Sequence, residues 1–145
     1  MANTQAICTS FKGEILKANH DLTTSTGDTI KAALYLASAT VNASTTAYSS
    51  TNEVSGTNYT AGGVTVTNGT SPSTSGTTAI WTPSASIVYT TVTLTTAFDA
   101  VLLYNSSKSN KAISVHTFGS QTITAGTLTL TMPANDSSNA LIRIA

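Results

Sequence analysis

The chain has 145 residues, room for one domain that buries roughly 68% of its unfolded surface. Six acids against six bases leave no net charge and no basic run, which excludes the phosphate-neutralising surface of a nucleic-acid-binding protein. Thirty Thr and 19 Ser argue against a helical protein and for many short strands, while 40% hydrophobic residues and three prolines argue against a disordered stalk.

The single Cys8 has no internal disulfide partner. No basic leader region, and no apolar run long enough to span a bilayer, is present. The expectation is a protein made in the cytosol, with no membrane partner.

From the N-terminus, Met1 to Cys8 reads as a short polar arm without a core of its own. Ser10 is placed to cap a short helix over Phe11 to Lys17, in which Cys8, Phe11 and Ile15 share an apolar stripe. Gly13 and a length of two turns make that helix dependent on tertiary packing.

Between about residues 30 and 38, Ile30, Ala32, Leu34 and Leu36 alternate with Lys31, Ala33, Tyr35 and Ala37, the period of a strand. Ile30, Ala33, Leu34 and Ala37 also fit a helical stripe; the Thr-, Ser- and Gly-rich flanks favour the strand. Residues 39–63 form a long polar loop closed by Gly62-Gly63, long enough to be an interaction loop or to hold a short strand near Ala47 and Tyr48.

Val64 and Val66 alternate with Thr65 and Thr67 ahead of Asn68-Gly69, a turn signal. Thr70 to Thr77 is low-complexity surface loop, and Ala79 to Thr82 is a short run carrying the only Trp. Four apolar runs follow, Ile87 to Leu94, Ala100 to Tyr104, Ala112 to Phe118 and Thr127 to Met132, with Asn105 to Asn110 as a hairpin connection. Asn139 to Ala145 closes the chain with Leu141, Ile142 and Ile144. About eight strands at such intervals predict a single all-β domain, residues 1–145, of β-sandwich or jelly-roll type with one short N-terminal helix.

The chemistry of sites is sparse. His20 and His116 are the only imidazoles, and no Gly-x-Ser-x-Gly elbow accompanies them. His20-Asp21 reads as a turn after the short helix, where an imidazolium would meet the helix C-terminus favourably. Glu14, Asp21 and Asp28 are spaced by sevens, but the Thr- and Ser-rich run from Thr23 to Gly27 breaks the helix that would align them. One Cys and two distant His do not make a metal site, and phosphate-binding loops are absent. No catalytic, cofactor-binding or metal-ligating residue is assigned, and no enzymatic activity is expected. Trp81 and the five Tyr could present a sugar platform, though core or interface packing accounts better for their scattered positions.

Thr26-Gly27-Asp28-Thr29, Ala33-Leu34-Tyr35, Thr45-Thr46-Ala47-Tyr48 and Glu53 through Gly63 resemble a family of small structural proteins of tailed bacteriophages. Phe11-Lys12, His20-Asp21, Leu103-Tyr104-Asn105, Phe118-Gly119 and Ile142 to Ala145 extend the resemblance over most of the chain. It implies a virion component on the capsid exterior, a cement or decoration protein whose partner is the major capsid protein. A tail or head-tail connector protein, and a displayed carbohydrate-binding module using Trp81, are the alternatives. Unprotected strand edges add the expectation of a homo-oligomer, dimer or trimer. Leu141, Ile142 and Ile144 are expected in the core, whereas the N-terminal arm and the 39–63 loop are expected to be ordered chiefly by partners.

Overall fold

The computed structural model describes residues 2–145. It is an all-β fold with one short helix. The elements are β1 (Ala6–Ile7), α1 (Thr9–Ile15), β2 (Ile30–Leu36), β3 (Val64–Thr65), β4 (Ser73–Ser75), β5 (Thr78–Trp81), β6 (Ile87–Asn105), β7 (Lys111–Leu130) and β8 (Ile142–Ile144). Five strands form an antiparallel sheet in the order β1-β7-β6-β2-β3, and three form a second one in the order β4-β5-β8. Trp81 of β5 and Ile142 of β8 belong to the same core as Leu34, Leu102 and Ile113, so the two sheets share one interior in a sandwich-like arrangement.

The expected count of eight is met with different strands. Four predicted runs are two long ones: Ile87 to Leu94 and Ala100 to Tyr104 are continuous in β6, and Ala112 to Phe118 continues into Thr127 to Leu130 in β7. The intervening Thr95 to Asp99 and Gly119 to Gly126 stay in the strands despite the turn-forming Asp99, Gly119, Ser120 and Gly126, and the β-branched Thr in both favours extended backbone. Repeated register shifts absorb the mismatch, with Thr91 and Ala125 at φ of 51° and 47°. The two remaining strands, β1 and β4, lie in stretches read as arm and loop. Residues 106–110 do form the expected β6–β7 connection, with Ser109 and Asn110 in the left-handed region.

In β2, the two-fold alternation does not translate into one buried face. Ala32, Ala33, Leu34 and Tyr35 are all buried, because β2 sits inside the sheet between β6 and β3 and both of its faces are covered. Its pairing with β6 runs from Ile30↔Asn105 to Leu36↔Phe98 with one irregularity at Tyr35/Leu36.

The helix starts earlier than expected. Cys8, not Ser10, occupies the N-cap with extended backbone and no side-chain cap bond, and the Ser10 hydroxyl is buried without a partner. Packing selects this start: Cys8 and Phe11 are enclosed in the core, and Ile15 packs against it. Asn68-Gly69 is likewise no hairpin turn. Asn68 is a bracket instead, donating to the Leu22 carbonyl at 2.7 Å and accepting from the Trp81 indole N–H at 3.2 Å.

The arm is tied to the domain. The Asn3 amide donates to the Leu36 carbonyl at 2.9 Å and to Asp99 at 2.6 Å, and accepts from the Val41 N–H at 3.0 Å. At the other end, Ile142 is buried, Leu141 is half-buried and Ile144 is 43% exposed, so one of the three apolar residues expected in the core is fully enclosed.

Candidate functional site

The long loop is organised by Glu53, the one acid between Asp28 and Asp99 in the sequence. Its side chain is buried and accepts three hydrogen bonds: Tyr48 Oη to Oε2 at 2.7 Å, Tyr59 Oη to Oε1 at 2.7 Å, and the Gly62 N–H to Oε1 at 2.8 Å. A buried carboxylate is tolerated only when its lone pairs are filled in this way. The Tyr59 hydroxyl in turn accepts the Leu34 N–H at 2.9 Å, which joins the loop to β2.

All five tyrosines converge here. Tyr104 donates to the Gly62 carbonyl at 2.8 Å, Tyr89 donates to the Ala32 carbonyl at 2.8 Å, and Tyr35 donates to the Ser49 carbonyl. Tyr48 stacks on Tyr104 and Tyr59 on Tyr89, with ring centroids 4.7 and 5.9 Å apart. Burial, followed by the hydrogen bond to Glu53, pushes Tyr48 and Tyr59 far above the usual phenol range, and burial pushes Tyr35 up to about 12. These phenols are donors at every physiological pH. They order the loop internally, where ordering by partners was expected.

A second network joins α1 to the β6–β7 turn. His20 Nε2 lies 2.8 Å from Glu14 Oε2, and Glu14 Oε1 accepts from Lys111 Nζ. His20 Nδ1 accepts from the Asn105 amide at 3.1 Å, and the same amide donates to Asp28 Oδ2 at 2.7 Å. Asn105 Oδ1 accepts the Ser107 N–H at 3.0 Å, which fixes the amide's orientation. With the Asn105 amide donating to Nδ1, His20 presents its Nε2 edge to Glu14 and sits between the two. Its ring stands edge-on to Phe11 at 4.9 Å. Burial raises the Glu14 carboxyl, but the bonds from Lys111 and His20 outweigh it and leave the group below the usual range.

Glu14, Asp21 and Asp28 do meet, through tertiary folding and not on a helix: the Asp21 N–H donates to Asp28 Oδ2 at 2.9 Å, and Asp28 reaches Glu14 through Asn105 and His20. Asn105 is fully buried. Its Nδ2 holds His20 and Asp28, both far away in sequence, while Oδ1 closes the local turn at Ser107.

The other imidazole, His116, lies 2.9 Å through Nε2 from Ser114 Oγ, two residues away on β7. Ser114 is completely enclosed, so no substrate carbonyl reaches its hydroxyl, and among the described residues no carboxylate orients the ring. Burial lowers the His116 pKa to about 4. His116 borders a cleft of about 670 Å³ where Gln5 and Ile7 meet Asn139 and Arg143, and an adjoining one of about 240 Å³ beside Phe118 and Met132.

Trp81 offers no stacking face: it is buried, and its indole N–H is shared between Asn68 and the Thr70 carbonyl. Among the described residues no group of three His, Cys, Asp or Glu is placed to hold a metal ion, and no helix is long and apolar enough to cross a membrane. The Glu53 network was not anticipated from the sequence. The available signal was a lone acid midway between Tyr48 and Tyr59 in a loop closed by two glycines. No family model, curated protein or solved structure matches the chain.

Proposed function

We propose that this chain is a non-enzymatic structural protein of a tailed-bacteriophage virion, a capsid cement or decoration protein that binds the major capsid protein lattice from outside and braces it. One observation carries the reading. The residues on which the phage resemblance rests, among them Tyr35, Tyr48, Glu53, Tyr59, Gly62 and Tyr104, build the loop network, and His20, Asp28 and Asn105 build the second one. The side chains that carry the resemblance are thus ones whose hydrogen bonds hold this fold, which supports a structural role for the chain. Zero net charge and the absence of a basic run also suit a protein packed on other protein and not on DNA.

Binding of this kind rests on area and repetition, since about 800 Å² per partner makes a stable interface and a lattice multiplies weaker contacts. Mass spectrometry of purified virions tests the reading, with hundreds of copies per particle expected. About a dozen copies would place the protein in the tail or connector, and its absence would end the virion reading. Added back to heads that lack it, the protein should sediment with them in saturable amounts.

A further inference from the structure

The long hairpin is covered on one side only. Along β6, β2 pairs with residues from Phe98 to Asn105, and beyond it the 39–63 loop takes over, with the Thr93 N–H on the Thr57 carbonyl and the Asn58 amide on the Thr91 carbonyl. Along β7, β1 pairs only with Ser114 and Val115. From Thr117 to Leu130 the outer edge of β7 has no hydrogen bond to any other segment among the described residues; its only strand partner is β6.

Sheets with exposed edges protect them by shortness, charge, proline or bulges. Shortness protects the four other edges, since β1, β3, β4 and β8 are two or three residues long. The β7 edge contains no charged residue and no proline, and at about 3.4 Å per residue it runs for at most roughly 48 Å, interrupted at the left-handed Ala125. Register shifts bend it, which disfavours a straight strand from an arbitrary protein.

We infer that this edge pairs antiparallel with the same edge of a second copy of the chain, about a two-fold axis, so that two five-stranded sheets become one. An antiparallel pair is self-complementary under such an axis. The neutral edge gives a charged partner nothing to select, whereas its exposed Thr122, Thr124, Thr127 and Thr129 suit cross-strand contact with one another. An edge of at most roughly 48 Å on a sheet about 10 Å thick buries at most on the order of 480 Å² per copy, less than a permanent dimer needs. The dimer is therefore weak and concentration-dependent in solution. It does not depend on the virion reading.

Sedimentation equilibrium on the full chain, from micromolar to millimolar, tests the assignment. The dimer fraction should rise with concentration, and Thr122→Lys/Thr124→Lys should remain monomeric with an unchanged circular dichroism spectrum. Thr129→Lys is the second variant should the double one fold poorly. Mixing Thr122→Lys/Thr124→Lys with Thr122→Glu/Thr124→Glu should restore the dimer, because opposite charges then face each other across the axis. A wild-type chain monomeric throughout, a Lys variant that associates like wild type, or a mixture that stays monomeric would each overturn the inference.

Discussion

The hydroxyl of Tyr59 stands 2.7 Å from Glu53 Oε1 and takes the N–H of Leu34 at 2.9 Å, so one phenol connects a buried carboxylate in the long loop to the backbone of β2. Removing Glu53 leaves Tyr48, Tyr59 and the Gly62 N–H without their acceptor. At about 1 to 3 kcal/mol for each buried group left unpaired, Glu53→Ala should cost upwards of ~3 kcal/mol. Glu53→Gln keeps one acceptor oxygen and should cost less. Chemical denaturation of both variants checks the order, and equal stabilities would remove Glu53 from its role as the loop's anchor.

Two glycines should respond to alanine in opposite directions. Gly63 has φ of +70°, and a Cβ there would lie 1.7 Å from the Ala32 carbonyl oxygen, so Gly63→Ala should prevent β3 from docking on β2. Gly13 lies within α1 with open space around it, so Gly13→Ala should raise stability by roughly 0.5 to 1 kcal/mol. Thermal melts of the two single variants provide the comparison.

Stability should fall with acidification through His116. Its folded pKa, about 4, lies below the unfolded value near 6.5, so between those pH values the unfolded chain binds more protons. Stability therefore declines as pH drops from about 6.5 toward 4, by up to ~3 kcal/mol from this group. The depressed Glu14 carboxyl acts lower: its contribution is complete above the unfolded carboxylate range and is lost as pH falls through its folded value. Denaturation midpoints for wild type and His116→Gln at pH 7 and pH 5 should differ in slope. Parallel profiles would mean that His116 does not titrate in this way.

The two chain ends should both matter, for different reasons. Asn3→Ala, which removes the bonds to Leu36, Asp99 and Val41, should destabilise by about 1 to 3 kcal/mol. Deleting Leu141 to Ala145 removes β8 and uncovers Trp81 of β5 along with the buried Ile142, and should abolish soluble folding. Expression tests and melting curves decide both; a C-terminal deletion that melts like the full chain would contradict the placement of Ile142 in the core.

Composition and local patterning determined the all-β class, the strand from Ile30, the apolar runs of the hairpin and the turn between Asn105 and Lys111, because each depends on neighbours a few residues apart. Tertiary structure alone decided what depends on distant partners. Nothing local marks Glu53 as the acceptor for Tyr48, Tyr59 and Gly62, or Asn105 as the link from His20 to Asp28, since a polar side chain's burial is permitted only by donors the fold delivers. The fusion of four predicted runs into β6 and β7 has the same origin. Thr-rich extended backbone is neutral between strand and loop until a neighbouring strand takes up its hydrogen bonds, and that neighbour is set by the fold.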